Sequence, residues 1–345
     1  MKTTLTRRGF AAAAGAVTAT VMSLGAVPMA MAQDLDEVVL GALRFTSHSA
    51  GFIAYEKGYF EDEGLDVSFE FFQAAQPIAV ATAGGDVDFG VAGVTGGLMN
   101  LAERDAIRIV AGVLHEKAGV DGMMIMASNP AWEDGLKTPA DIAGRSLAMT
   151  QVGSSFHYMM HLIAEKEGFP LDEVKLTPLQ KVGSMIGALK SGQVDAMIMV
   201  PHIAKPMVAA GDAKEIGWLN DYAEYQISTL FTSVDNIEND RDMVERFIRA
   251  YAKGIADFNA VMLNPDADPA DVEEMTRMIH KYVYIDRPYE SAAPAIQAGA
   301  MFLNEDAALN KTGVDAHMQW FKDEGLVDTD LSVDKLVDDS FVDTF

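Results

Sequence analysis

The stretch that most constrains this chain is residues 145–201. Arg145–Thr150 (RSLAMT) reads as a short buried strand, and Gly153-Ser154-Ser155 follows it. Phe156, Met159, Met160 and Ile163 then recur at helical spacing through Glu167. Val174–Leu176 reads as a second strand, Val182–Lys190 as a second helix and Val194–Val200 (VDAMIMV) as a third strand. That third strand is a continuous apolar run of the kind parallel sheets bury on both faces. Strand alternating with helix predicts an α/β unit with parallel pairing. The Gly-Ser-Ser corner falls where the first strand feeds a helix, and free N–H groups with two hydroxyls there can surround a bound oxygen.

The same alternation runs on both sides of this unit. Strands are predicted at 38–43, 65–72, 87–91, 107–114, 123–127, 216–219 and 225–233. Gly51–Phe60 and Leu98–Arg104 are predicted helices, Pro77 sits early in another, and helix 202–210 follows the third strand of the central unit. From Asp242 the pattern is helical: 242–263, 269–283, 289–303 and 313–324, ending in an acidic, partly ordered tail from Ser332. One short pattern occurs twice. Gly85-Asp86-Val87-Asp88-Phe89-Gly90 and Gly192-Gln193-Val194-Asp195-Ala196-Met197 share Gly-x-Val-Asp-apolar, each between an apolar helix and an apolar strand. Two similar α/β lobes would produce that recurrence.

Composition excludes several classes. The 345 residues suit two domains, and with 49% hydrophobic residues a substantial core is expected. Cysteine is absent, which removes disulfides, thiolate metal sites and cysteine nucleophiles. The N-terminus reads as an address. Thr6-Arg7-Arg8-Gly9-Phe10 is a twin-arginine pattern, Ala11–Ala26 is a weakly apolar run, and Ala30-Met31-Ala32 is a small-x-small cleavage site. Residues 1–32 are therefore read as a signal peptide cleaved near Ala32, with a periplasmic product. Without it the chain keeps 23 basic against 51 acidic residues, a formal charge of −28. A surface that acidic repels nucleic acid and anionic membranes.

Four stretches carry a family resemblance: Ala54–Val67 (AYEKGYFEDEGLDV), Ala83–Val94 (AGGDVDFGVAGV), Thr138–Ser155 (TPADIAGRSLAMTQVGSS) and Ala188–Pro201 (ALKSGQVDAMIMVP). In order and spacing the chain resembles the periplasmic solute-binding proteins of ABC importers. The matching branch is that for nitrate, sulfonates, taurine and thiamine-pyrimidine precursors (NMT1/THI5-like). The resemblance implies a two-lobed α/β periplasmic binding protein of type II, each lobe a mostly parallel sheet flanked by helices, with extra C-terminal helices. Residues 33–118 and 226–345 would form lobe 1 and residues 119–225 lobe 2. Ligand would be held between the lobes by hinge closure, and the partners would be a small organic solute and a membrane permease with its ATPase. A monomer is expected, with no cofactor and no enzymatic activity.

Ligands of open α/β sheets sit beyond the carboxyl ends of the strands. The candidate ligand-binding residues are accordingly Phe45, Ser47, His48, Gln76, Thr95, Gly96, Gly153, Ser154, Ser155, Phe156, His157 and His202. Each has a blander reading. It makes Ser154 and Ser155 helix caps, Gln76 a helix start, and Phe45 and Phe156 core. His157 and His161 lie four apart but lack a third zinc ligand, so no metal is expected. His115-Glu116, near the presumed hinge, is read as structural. Arg44 and the histidines near these loops, with the two serines, favour a small organic anion, a sulfonate or a carboxylate. A pyrimidine or other aromatic heterocycle is the alternative. An exported enzyme is the contrasting class, disfavoured because no Gly-x-Ser-x-Gly elbow, phosphate loop or dinucleotide fingerprint occurs.

Overall fold

The computed structural model describes residues 35–345, so the expected leader lies outside the described residues. The strands are β1 (Asp36–Ala42), β2 (Leu65–Phe71), β3 (Phe89–Gly93), β4 (Ile107–Gly112), β5 (Met124–Ser128), β6 (Ser146–Met149), β7 (Lys175–Pro178), β8 (Ala196–Met199), β9 (Ala213–Trp218) and β10 (Ser228–Ser233). They form two five-stranded sheets, ordered β2-β1-β3-β10-β4 and β7-β6-β8-β5-β9. The two orders correspond strand for strand. In each sheet three strands pair in parallel, and the fourth position holds an antiparallel strand, β10 in the first and β5 in the second. That strand is the one the chain lays down directly after crossing from the other sheet. The two crossings span 113–123 and 219–227.

Burial follows position in the sheet. Central β5 and β8 are buried at every residue, as their unbroken apolar runs require. Edge strand β2 alternates buried and exposed residues over its first half. Helix Arg241–Met262 covers the first sheet, and Phe247 stacks on Phe89 of β3 with ring centroids 3.8 Å apart.

The repeated Gly-x-Val-Asp pattern does the same job twice. Gly85 and Gly192 take φ of +77° and +71°, the left-handed turn that ends the preceding helix. The Asp88 carboxylate then accepts the Val39 N–H of β1 at 2.7 Å, and the Asp195 carboxylate accepts the Ser146 N–H of β6 at 2.8 Å. Each aspartate fastens its own strand to the equivalent neighbour in its own sheet.

Two expectations fail at the C-terminus. The helix expected over 289–303 stops at Gln297. Just beyond it, Gly299 lies so close to the His202 backbone that a Cβ would sit 2.2 Å from the His202 Cβ. The tail expected to be partly ordered is instead docked. Leu336 and Val337 are buried, and the Asp338 N–H donates to the Ile109 carbonyl of β4 at 2.9 Å.

Candidate functional site

A cleft opens between the carboxyl ends of the two sheets. Its walls come from loops 43–48, 74–76, 93–95, 150–156 and Val182, with Val200, Leu114, Met123, Ile227 and Ser228 closing the floor. About 50 Å³ is open to the centre of a water-sized sphere, room for several waters or one small solute. Six helices of the described residues start at this cleft: Ser49–Glu56, Ala75–Gly84, Gly96–Glu103, Ser155–Glu167, Val182–Lys190 and Pro201–Ala209. First-turn N–H groups have no intrahelical acceptor. Those of Ala75, Gln76, Ser155 and Phe156 have none among the described residues.

The first loop folds into a tight turn, Thr46–His48, before helix Ser49–Glu56. His48 Nδ1 accepts the Leu43 N–H at 3.1 Å, which leaves the ring proton on Nε2. Burial lowers its pKa to about 3, so the imidazole is neutral. The hydroxyls of Thr46, Ser47 and Ser49 are buried with no partner in the protein.

Opposite, Thr95 caps helix Gly96–Glu103 by accepting the Leu98 N–H at 3.0 Å and donates its hydroxyl to Gln76 Oε1 at 3.0 Å. Gln76 lies flat on Gly97, where a Cβ would stand 1.9 Å from Oε1. The Gly96 N–H donates to the Gly153 carbonyl at 2.9 Å, a backbone bond from one lobe to the other at the edge of the cleft.

Ser154 holds the N-cap position of helix Ser155–Glu167, yet its hydroxyl makes no capping bond. It is buried and without a partner. Capping therefore does not account for it.

Of the twelve residues picked from the sequence, eight line the cleft: Phe45, Ser47, His48, Gln76, Thr95, Ser154, Ser155 and Phe156. Four stand behind the wall. Gly96 and Gly153 contribute the bond between lobes. His157 accepts the Gly153 N–H through Nδ1 at 3.2 Å and sets its ring edge-on to Trp320. His202 packs edge-on against Phe45, 5.1 Å between centroids, and its carbonyl accepts the Tyr284 hydroxyl at 2.7 Å.

The cationic groups expected at the cleft are turned away from it or neutral. Arg44 lies 3.7 Å over the Phe71 ring and donates to the Tyr282 carbonyl at 2.9 Å, away from the cleft. Burial takes His202 to about pKa 3 and His157 to about 4. No Asp, Glu, Lys or Arg is among the lining residues. Missing from the sequence reading were Thr150, Gln151 and the apolar floor of Leu114, Met123, Met159 and Ile227. The floor residues carry no chemical signal. Leu114, Met123 and Ile227 are marked only by their place at the crossings, and Met159 only by its place on the apolar face of helix Ser155–Glu167.

The family profile described as "NMT1/THI5 like" matches residues 45–267. The chain belongs to the NMT1/THI5-like family. A family relative from Halalkalibacterium halodurans, a formylaminopyrimidine-binding protein, is 25% identical over 236 residues, covering 67% of each chain. A Brucella abortus protein named only as a binding protein is 30% identical over 145 residues, 42% of this chain and 41% of that protein. The match thus spans about two fifths of that relative's length. Among solved structures, the alkanesulfonate-binding protein of Xanthomonas axonopodis pv. citri bound to MOPS superposes with TM-score 0.70 at 16% identity, covering 89% of this chain and 99% of that one. The periplasmic nitrate-binding protein of Synechocystis PCC 6803 gives TM-score 0.67 at 14% identity, covering 88% and 86%. These two likenesses show the shared fold, that of the periplasmic binding proteins. Family and fold agree with the resemblance read from the sequence.

Proposed function

We propose that this protein is the extracytoplasmic solute-binding component of an ABC importer, and that it captures a small organic anion, a sulfonate or carboxylate. The observation that carries this reading is the chemistry of the cleft wall. In a chain this rich in Asp and Glu, the lining contains no carboxylate. It offers donors instead: the orphan hydroxyls of Ser47 and Ser154, the His48 Nε2–H and the free N–H groups at the helix starts. A donor-rich wall at converging helix N-termini suits a ligand whose polar end only accepts. Phe45 and Phe156 give its organic body an apolar surface.

The ligand's oxygens would take the place of water on these donors, and closure of lobes 33–118 plus 226–345 and 119–225 would remove it from solvent. The closed form is what a membrane permease would recognise. The twin-arginine pattern supports a periplasmic protein released near Ala32, and a monomer is the form suited to docking on a membrane permease. Acid–base catalysis has little support, because the one titratable side chain of the wall, His48, is neutral and its Nδ1 is already engaged.

A second reading, a neutral aminopyrimidine, is favoured by the Halalkalibacterium halodurans relative and by the absence of a cation in the wall. Calorimetric titration of the ligand-free protein with taurine, methanesulfonate, small carboxylates and aminopyrimidines separates the two. Micromolar binding of a sulfonate or carboxylate is expected. Binding of an aminopyrimidine with none of the anions overturns the assignment.

A further inference from the structure

Outside the cleft, two contacts join the lobes: one where Tyr284 and Gly299 meet His202, and another on helix Lys311–Asp323. The segment after residue 303 belongs to the first lobe. Val337 pairs with Ile109 of β4, the Asn310 N–H donates to Gln226 Oε1 at 3.1 Å, and Asn100 Nδ2 donates to the Leu326 carbonyl at 3.2 Å. Helix Lys311–Asp323 is carried by this segment, and its rings are laid on the second lobe. His317 stacks on Tyr158 with centroids 3.7 Å apart and planes 16° apart. Trp320 stacks on His161 at 4.7 Å and meets His157 edge-on at 5.0 Å. His157, Tyr158 and His161 lie on one flank of helix Ser155–Glu167, whose first turn lines the cleft. His317, Trp320 and Tyr158 are 1%, 8% and 5% exposed, so parting the lobes would uncover all three.

We infer that helix Lys311–Asp323 is a clasp: its His317 and Trp320 hold the second lobe closed and seat the start of helix Ser155–Glu167 in the cleft wall. The inference rests on the hinged-cleft reading but not on the nature of the ligand. These are positioning residues, remote from any bound solute. The clasp is also tuned below its strongest form. Both ring nitrogens of His317 are buried without a partner, which a purely apolar ring would avoid. Such a contact can be released when ligand must enter or leave.

The test needs no ligand. The chain has no cysteine, so Val80→Cys in the first lobe and Lys175→Cys in the second, both exposed, give a clean pair of spin-label sites. Distance distributions are compared in the ligand-free protein. Trp320→Ala is expected to raise the ratio of long-distance to short-distance species about tenfold, the effect of losing stacked ring pairs. His161→Ala, half-buried and safe for folding, is expected to raise it severalfold. His317→Phe keeps the stack, removes the orphan nitrogens and is expected to lower it. Opposite signs from two substitutions in one cluster are not produced by misfolding. Distributions identical to wild type in His161→Ala and His317→Phe, with cooperative melting retained, overturn the clasp. Because no solute is added, that result would leave the anion assignment standing. Equally, failure of every anion to bind would leave the clasp standing.

Discussion

Replacing Ser154 by alanine separates a ligand group from a helix cap. A serine that caps its helix loses about 0.5–2 kcal/mol of stability when truncated. Ser154 occupies the N-cap position but its hydroxyl bonds nothing, and it is only 2% exposed. A buried hydroxyl without a partner costs about 1–3 kcal/mol. Ser154→Ala removes that cost and makes a small void, so the ligand-free protein should melt at the same temperature or up to about 2 °C higher. Binding should move the other way. A hydrogen bond to a charged partner contributes about 1.5–3 kcal/mol, so the dissociation constant should rise by about 10- to 150-fold. Differential scanning calorimetry of the ligand-free protein, and titration with the tightest-binding sulfonate or carboxylate, measure the two effects separately. A ligand-free melting point lowered by several degrees, with affinity changed less than twofold, would refute the reasoning and return Ser154 to a cap.

Glu116 gives a pH prediction. It is buried on the first crossing, Oε1 accepts the Met123 N–H at 2.7 Å, Oε2 has no partner, and burial raises its pKa to about 7. The folded chain therefore holds this proton more tightly than the unfolded chain. The stability it contributes is complete below about pH 4.5, falls as pH rises to about 7 and then levels. Glu116→Gln keeps the bond to Met123 and should flatten that fall, a difference of roughly 3 kcal/mol in chemical denaturation between pH 4.5 and 7.5. Gly97→Ala should expel Gln76, weakening ligand binding tenfold or more in titration and costing about 1–3 kcal/mol of stability through overpacking. The imidazole resonances of His48 and His202 should not titrate between pH 5 and 8 by NMR, since burial holds both near pKa 3. A midpoint near 6.5 for His48 would restore a cationic cleft.

The sequence carried the fold because its signals are local. Apolar runs such as Val194–Val200 and the turn glycines mark each strand, and all ten predicted strands form, no end off by more than three residues. The Gly-x-Val-Asp recurrence was legible for the same reason, although the strand each aspartate fastens lies 49 residues away. The cleft was partly legible, because strand-end loops are where polar residues such as Ser154 and Thr95 gather. Electrostatics was not. Arg44 and His48 are neighbours in sequence, yet one turns outward onto Phe71 while the other is buried and neutral. Which way a side chain turns depends on packing against elements far along the chain, Tyr282 in the case of Arg44. The docked tail was missed similarly, because Val337 pairs with Ile109 of β4, more than 200 residues earlier.

The exchange of antiparallel strands has a consequence for biogenesis. All strands of the second sheet come from one uninterrupted stretch, 124–218, whereas the first sheet lacks its fourth strand until residues 228–233 emerge. The half whose strands are translated first is thus the half that must wait, with β3 and β4 each missing a neighbour. During synthesis the later half can mature ahead of the earlier one, and β10 arrives as the piece that seals the waiting gap.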